Sequence, residues 1–324
     1  MITRRLVLAS SAALCTPFVA RAQTPQLSLL LDWGWLPYHA GFFVAQERGY
    51  FRDAGVDVAF EQGRGSNTTA ILVGQRAFDM GHLNVTNAAV TIAKGVPLKV
   101  VAVYQHRTSA SFVGLKGKVA LDGPDSLKGL RIGSTPGGSD GLGLSVFRRA
   151  NKIPEDALNV ISLDASAKTA ALLTGQVDVV SGDSHAYAAI VRGAGQQPVI
   201  MELASFGVPL LGFGFAVNEA VLKDKPDAVR RALGAIRRGF ADVAADTTAA
   251  CTLIRSRVQI AGNPAQCLDY VQGLEALSTP PGDPAWGRST PAEWEALIGT
   301  LRGVGEIKAD RAPSSYFTND LLPA

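Results

Sequence analysis

The stretch Leu27–Phe60, LSLLLDWGWLPYHAGFFVAQERGYFRDAGVDVAF, decides the reading of the fold. "LSLLLDW" is a short and almost wholly apolar run, which predicts a buried strand. Gly34 and Pro37 break it, and "HAGFFVAQERG" then predicts a helix ending near Gly49. "VDVAFEQG" returns to a strand. Strand, turn, helix and strand form the unit that builds parallel sheets with helices on their faces. The turn itself is unusually aromatic, because Trp33, Trp35, Tyr38 and His39 crowd into it.

The same rhythm continues downstream. "SNTTAILVGQRA" and "TNAAVTIAKG" read as helices, the first with Ser66 or Asn67 placed to cap it. "FDMGHLNV" and "LKVVAVYQ" read as strands. Residues 112–125 interrupt the pattern with glycines, lysines and a proline. It restarts at "LKGLRIGST" and alternates through "GGSDGLGLSVFRRANKI", "LNVISLD", "SAKTAALLTGQ", "VDVVSGD", "SHAYAAIVRGAG" and "QPVIMEL". A second interruption covers residues 204–215, and the chain beyond it reads as mainly helical. The two alternating blocks resemble each other, and two interruptions isolate the second. The expected fold class is therefore α/β, with two lobes, each a mostly parallel sheet flanked by helices. Lobe one is expected to comprise residues 23–113 plus 213–324 and lobe two residues 114–212, with a hinge of two chain crossings.

The first 22 residues are expected to be an export signal that is removed. Arg4 and Arg5 precede an uncharged apolar run from Leu6 to Ala20, and Ala20-Arg21-Ala22 has the small residues that signal cleavage prefers. Thr3-Arg4-Arg5-Leu6-Val7-Leu8 resembles a twin-arginine signal. Leu14 stands where a lipidated Cys15 would need a small residue, so no lipid anchor is expected. No later run reaches the 18 or so apolar residues of a membrane span. The signal holds three of the 31 basic residues and none of the 28 acidic ones, so the chain from Gln23 carries 28 of each. That balance offers nothing to nucleic acid or an anionic membrane. Cys251 and Cys267 remain, and an oxidising compartment favours a disulfide between them over two free buried thiols.

In open parallel sheets, ligands bind beyond the carboxyl ends of the strands. With two such sheets those ends face each other across a cleft. The candidates there are Trp33, Trp35, Tyr38 and His39 after the first strand, and Ser66, Asn67 and Thr68 after the next, beside Arg64. His82 and Asn84 follow the third. In the second lobe they are Thr135, Gly137, Gly138 and Ser139, then Asp183, His185 and Tyr187. Each also has a structural alternative. The tryptophans can roof the sheet, His39 and Asp183 can cap helices, Ser66 and Asn67 can do the same, and His82 can be a satisfied strand-end residue. "GSTPGGSDGLG" offers backbone N–H groups at a helix start for an anionic or carbonyl oxygen, or is simply a turn that needs glycine. It lacks the lysine of a nucleotide loop and the spacing of a dinucleotide loop. His-Glu-x-x-His and Cys-x-x-Cys motifs are absent. The four histidines are scattered. A metal site drawn from His39, His82 and His185 is conceivable across the cleft, yet neither metal nor cofactor is expected.

These residues carry a family resemblance. "LDWGWLPYHAGFFVAQERGYFRDAGVDV", "GQRAFDMG", "KGVPLKVVAV", "LKGLRIG", "LLTGQVDVV", "GFGFAVNEAVLKDKPDAVRRAL" and "APSSYFTNDLL" follow one another as in periplasmic substrate-binding proteins of ABC importers. The resembling branch is the one related to thiamine-pyrimidine precursor, sulfonate and nitrate binders. The resemblance implies a type II periplasmic-binding fold, closure of the lobes on a small ligand, and delivery to a membrane permease and its ATPase. Trp33 and His39 match the family's Trp and its His at the start of the helix. Tyr38 replaces the usual Asn after the proline, and Trp35 is additional. The superfamily also holds a fungal pyrimidine-forming enzyme with a cysteine-rich iron motif. This chain has no cysteine cluster, so a monomeric, periplasmic, non-enzymatic binder of a small aromatic or heteroaromatic solute is expected. An enzyme on the same fold, or a receptor that reports to a sensor, is the alternative.

Overall fold

The computed structural model describes residues 24–260, 262–308 and 311–322. The expected export signal, with Arg4, Arg5 and Cys15, lies outside the described residues.

The chain begins with β1 (Gln26–Leu30), the turn of the opening stretch, and the short helices α1 (Ala40–Glu47) and α2 (Tyr50–Asp53). It continues through β2 (Asp57–Glu61), α3 (Ser66–Gly74), β3 (Met80–Asn84), α4 (Val85–Ala93) and β4 (Leu98–Val103). β5 (Ala110–Leu115) opens a second series: β6 (Arg131–Ser134), α5 (Ser139–Ala150), β7 (Asn159–Ser162), α6 (Ala165–Leu173), β8 (Val179–Asp183), α7 (Ser184–Gly193) and β9 (Pro198–Glu202). β10 (Phe213–Asn218) then leads into α8 (Glu219–Asp224), α9 (Pro226–Ala245), α10 (Thr247–Arg257), α11 (Pro264–Glu275) and α12 (Pro291–Gly303).

Two five-stranded sheets result, with the orders β2-β1-β3-β10-β4 and β7-β6-β8-β5-β9. β1 pairs in parallel with β2 and β3, and β6 with β7 and β8. The second strand from one edge runs against its neighbours in each sheet: β10 in the first, β5 in the second. Both sheets are therefore mixed, with four strands in one direction and one reversed. The reversed strands are the two that carry the chain between the sheets. They also occupy the apparent interruptions of the sequence. β10 is buried along its whole length and β5 from Ser111 to Leu115. Because β5 starts at Ala110, the expected step at 113/114 falls inside a strand of the second sheet, and the first crossing lies between Val103 and Ala110.

The core of the first lobe gathers Leu27, Leu29, Leu31, Phe42, Met80, Phe215, Ile236 and Trp286 around its sheet. This is an all-apolar interior whose strands are buried on both faces. The chain has the two-lobe α/β architecture of the periplasmic binding proteins, with each sheet's carboxyl ends turned toward the other lobe.

The lobes touch in this structure. Gly65, in the loop after β2, has φ +123, a conformation open mainly to glycine. A Cβ there would come within 3.1 Å of the Gly137 carbonyl oxygen in the loop after β6. On the other side, α11 lies against α7. Arg192 Nη1 reaches Asp269 Oδ2 at 2.5 Å, and Ala189 packs with Tyr270 and Leu274.

Candidate functional site

Asp32 follows β1 and is the centre of a buried polar network. Its Oδ1 lies 3.1 Å from His39 Nε2 and 2.9 Å from His82 Nδ1. The Tyr38 hydroxyl donates to Oδ2 at 2.5 Å. His39 Nδ1 accepts the Leu36 N–H at 3.2 Å, so its proton sits on Nε2 and points at Asp32. His82 Nδ1 likewise donates to the carboxylate, and its Nε2 meets the Tyr104 hydroxyl at 2.6 Å. His39 and His82 are both fully buried.

The electrostatics follow from this wiring. Burial alone would raise the Asp32 carboxyl, but the hydrogen bonds from His39 and His82, with their electrostatic effect, hold it well below the ordinary 3.8. Burial lowers His39 from the ordinary 6.5, and the attraction of Asp32 restores only part of that. Burial, followed by the nearby Asp32 charge, pushes the Tyr38 and Tyr104 phenols well above 10.0. The site is one carboxylate held by three donors, with no polar atom of Asp32, His39 or His82 to spare.

The ligand-type atoms of Asp32, His39 and His82 lie within 4.8 Å of one another, a possible metal set. Their geometry fits a hydrogen-bonded network instead, because both imidazoles already direct an N–H at the carboxylate. His185 does not join them. Its ring lies 2.4 Å from where a Cβ on Gly273 of α11 would stand, in the interface between the lobes.

The structure sorts the expected site residues into three groups. Ser66, Asn84, His39 and His82 turn inward. Ser66 Oγ accepts the Asn84 N–H at 3.0 Å, Asn84 Oδ1 caps α4 through the Thr86 N–H at 3.0 Å, and Ser66 begins α3 without capping it. Asn67 Oδ1 takes only a long bond from Thr91 Oγ1 at 3.5 Å, and Thr68 is exposed. Trp35 packs edge-on against Phe43 and Phe60, with centroids 5.4 and 6.4 Å away, so it braces α1 against β2.

A second group stands where the lobes meet. Trp33 lies beside the Gly65 backbone, 3.5 Å from where a Cβ would be. Gly137 is exposed, and Gly138 precedes α5, which starts at Ser139. The helix start is already supplied with a carboxylate. Asp140 Oδ2 accepts the Thr135 N–H at 2.8 Å and Lys168 Nζ at 2.7 Å. Thr135 Oγ1, Ser184 Oγ and His185 Nε2 are buried and have no hydrogen-bond partner among the described residues. Asp183 caps α7 through the Ala186 N–H at 2.7 Å and also holds the Ser109 hydroxyl. Burial raises its carboxyl, with those two bonds opposing. Tyr187 carries Lys168 Nζ 5.3 Å from its ring centre.

The third group was not foreseen, apart from Tyr38. A cavity of about 230 Å³ opens at the carboxyl end of β4, between the first sheet and the C-terminal helices. Tyr38, Tyr104, Phe213, Phe240 and Trp286 wall it, and Gln105, Glu275, Ser278 and Thr279 are its polar residues. Tyr38 stacks on Phe213 at 5.2 Å, and Tyr104 stacks on Trp286 at 6.2 Å. Gln105 Oε1 accepts the Phe213 N–H at 3.0 Å, which leaves its buried Nε2 unpartnered. Asp32 was not among the expected residues, although a lone acid ending an apolar strand is a signal that could have found it. Phe240, Glu275 and Trp286 carried no local signal, because they come from helices and loops two hundred residues or so downstream, and spacing along a chain says nothing of such encounters. Cys251 and Cys267 are joined by a disulfide, Cα atoms 6.0 Å apart, which ties α10 to α11.

Comparison with known proteins places this geometry. Residues 36–250 match the family described as NMT1/THI5 like. A 4-amino-5-hydroxymethyl-2-methylpyrimidine phosphate synthase of Saccharomyces cerevisiae is 32% identical over 110 residues, 34% of this chain and 32% of that protein. The chain thus spans about a third of the length of that relative. The alkanesulfonate-binding protein SsuA of Xanthomonas axonopodis pv. citri, bound to MOPS, superposes with TM-score 0.71 at 15% identity, over 92% of this chain and 99% of that one. The periplasmic nitrate-binding protein NrtA of Synechocystis PCC 6803 gives 0.71 at 14%, over 92% and 87%. The expectation that the chain is not an enzyme is corrected by these matches, since the curated relatives are named as synthases. The absence of a cysteine cluster and the expected export signal, on which it rested, do not exclude catalysis on this fold. With more than half of its residues matched, the chain belongs to the NMT1/THI5-like family.

Proposed function

We propose that this protein is the exported solute-binding component of an ABC uptake system. It captures a small organic molecule with an aromatic or heteroaromatic ring between its lobes and delivers it to a permease. The observation that carries this reading is the aromatic cavity at the strand ends of the first sheet, lined by no described residue of the second lobe and next to both hinge crossings at Gln105 and Phe213, which puts the ring on the first lobe's side of the cleft. Aromatic walls with a few placed polar groups are the usual make-up of a small-molecule site. Trp33, Thr135, Gly137, Ser139, Ser184 and His185 complete the site from the cleft, where buried hydroxyls without protein partners call for a polar ligand or water. Among the described residues no helix is long and apolar enough to cross a membrane. The balanced charge from Gln23 onward and the basic, apolar leader suit export to the periplasm, by the twin-arginine route. The protein acts as a monomer.

The names of the curated relatives favour a second reading, a pyrimidine-forming enzyme on the same fold. One experiment separates them. Native mass spectrometry of protein purified without denaturation is expected to show a bound small molecule, whose mass is followed through prolonged incubation. A mass change of that ligand, or bound iron with turnover, supports the enzyme instead. A thermal-shift screen in which no solute raises the melting temperature counts against the receptor. A true ligand at 100 times its Kd adds about 2.7 kcal/mol.

A further inference from the structure

The aromatic cavity has an unbalanced charge. Glu275, at the end of α11, contributes its carboxylate to the wall, and no Lys, Arg or His lines the cavity among the described residues. No basic side chain pairs with Glu275 among them either. Behind the wall lies a second carboxylate, since the Tyr38 hydroxyl donates directly to Asp32. Arg237 sits 5.9 Å from the Trp286 ring, but its guanidinium is spent on the carbonyls of Pro281 and Asp283 and does not line the cavity. The rest of the wall is aromatic rings, aliphatic side chains, prolines and the hydroxyls of Ser278 and Thr279, none of which carries a positive charge.

From these contacts we infer that the cavity selects a small organic cation, a ring bearing a protonated or methylated amine. The ammonium is set against Glu275 within the aromatic wall, and a hydrogen-bond acceptor on the ring takes the free Gln105 Nε2. The inference rests on the solute-receptor reading above and adds the ligand's charge. Its physical ground is that a partly buried carboxylate without a partner is costly unless a cation neutralises it. Burial already raises the Glu275 carboxyl, which a bound ammonium would reverse. An anion in the same place would meet Glu275 with no compensating base. This sets the cavity apart from the sites of the alkanesulfonate and nitrate binders, whose names describe anions.

The test uses three probes of one size on the whole protein, by isothermal titration calorimetry: benzylammonium, benzyl alcohol and benzenesulfonate. Benzylammonium is expected to bind at least about tenfold more tightly than the other two, and Glu275→Gln to remove about that factor for it alone. Thermal unfolding of the variant checks that it is folded. If benzyl alcohol or benzenesulfonate binds as tightly as the amine, or if Glu275→Gln leaves the amine's affinity unchanged, the charge assignment falls and the receptor reading stands. If none of the three binds at millimolar concentration, the cavity is no ligand site and the inference is overturned. The receptor reading is then decided separately by the molecule seen in native mass spectrometry.

Discussion

At the residue scale, Asp32 governs the opening stretch. An ionised carboxylate in an apolar core survives only if its oxygens are filled, and Tyr38, His39 and His82 fill them. Asp32→Asn removes the charge and, with its oxygen kept on the two ring N–H groups, turns its NH2 toward the Tyr38 hydroxyl, so it should cost about 1–3 kcal/mol in urea unfolding. The acid response has a definite sign. The folded values of His39 and Asp32 both lie below their ordinary 6.5 and 3.8. Between folded and unfolded values the unfolded chain binds more protons, so stability rises with pH. The contribution is complete above the unfolded values. It should begin to fall as pH drops below 6.5 through His39, and fall further below 3.8 through Asp32. Chemical denaturation from pH 8 to pH 3 measures it. A curve for Asp32→Asn with the same low-pH slope as the parent would remove Asp32 from the account. His39 was expected at a ligand, and it was legible as important. Its role as an internal strut was not, because a histidine at a strand end has the same sequence signature whether its nitrogens face a ligand or an aspartate.

At the element scale, the C-terminal helices do more than cover the first sheet. α11 is tied to α10 by Cys251–Cys267 and lies on α7 of the second lobe, while its far end supplies Glu275 to the cavity. Closing a loop of this length contributes about 3 kcal/mol by restricting the unfolded chain. Replacing both cysteines by serine should lower stability by that amount. Thiol titration of the unfolded, unreduced protein from Gln23 onward should find no free thiol. Two free thiols would show that the pair is not bridged in solution. The helices themselves were readable from their periodicity and caps, as with Thr290 and Glu293, which form a reciprocal cap on α12. β5 and β10 were less so. As reversed strands carrying glycines, they break the regular alternation on which the parallel pattern rests.

At the scale of the whole molecule, two similar sheets are set carboxyl end to carboxyl end and clasped at Gly65–Gly137 and along α7–α11. The exposed Arg192–Asp269 pair is worth at most about 1 kcal/mol, so the apolar packing of Ala189 against Tyr270 and Leu274 governs closure. Ala189→Asp should therefore shift the unliganded population toward an open form. Small-angle scattering should show a larger radius of gyration, restored by saturating ligand, and an unchanged radius would sink that account of the clasp. What the sequence alone determined is the alternation of buried strands and capped helices, hence the two-lobe α/β fold, and the concentration of aromatic and polar residues at strand ends. Those features are written in local order and in apolar periodicity. Only the tertiary structure decided which of those side chains point inward. It alone brought Phe240, Glu275 and Trp286 to Tyr38 and Tyr104, because a site's chemistry depends on distances across the fold, and nothing in the spacing of residues along a chain encodes them.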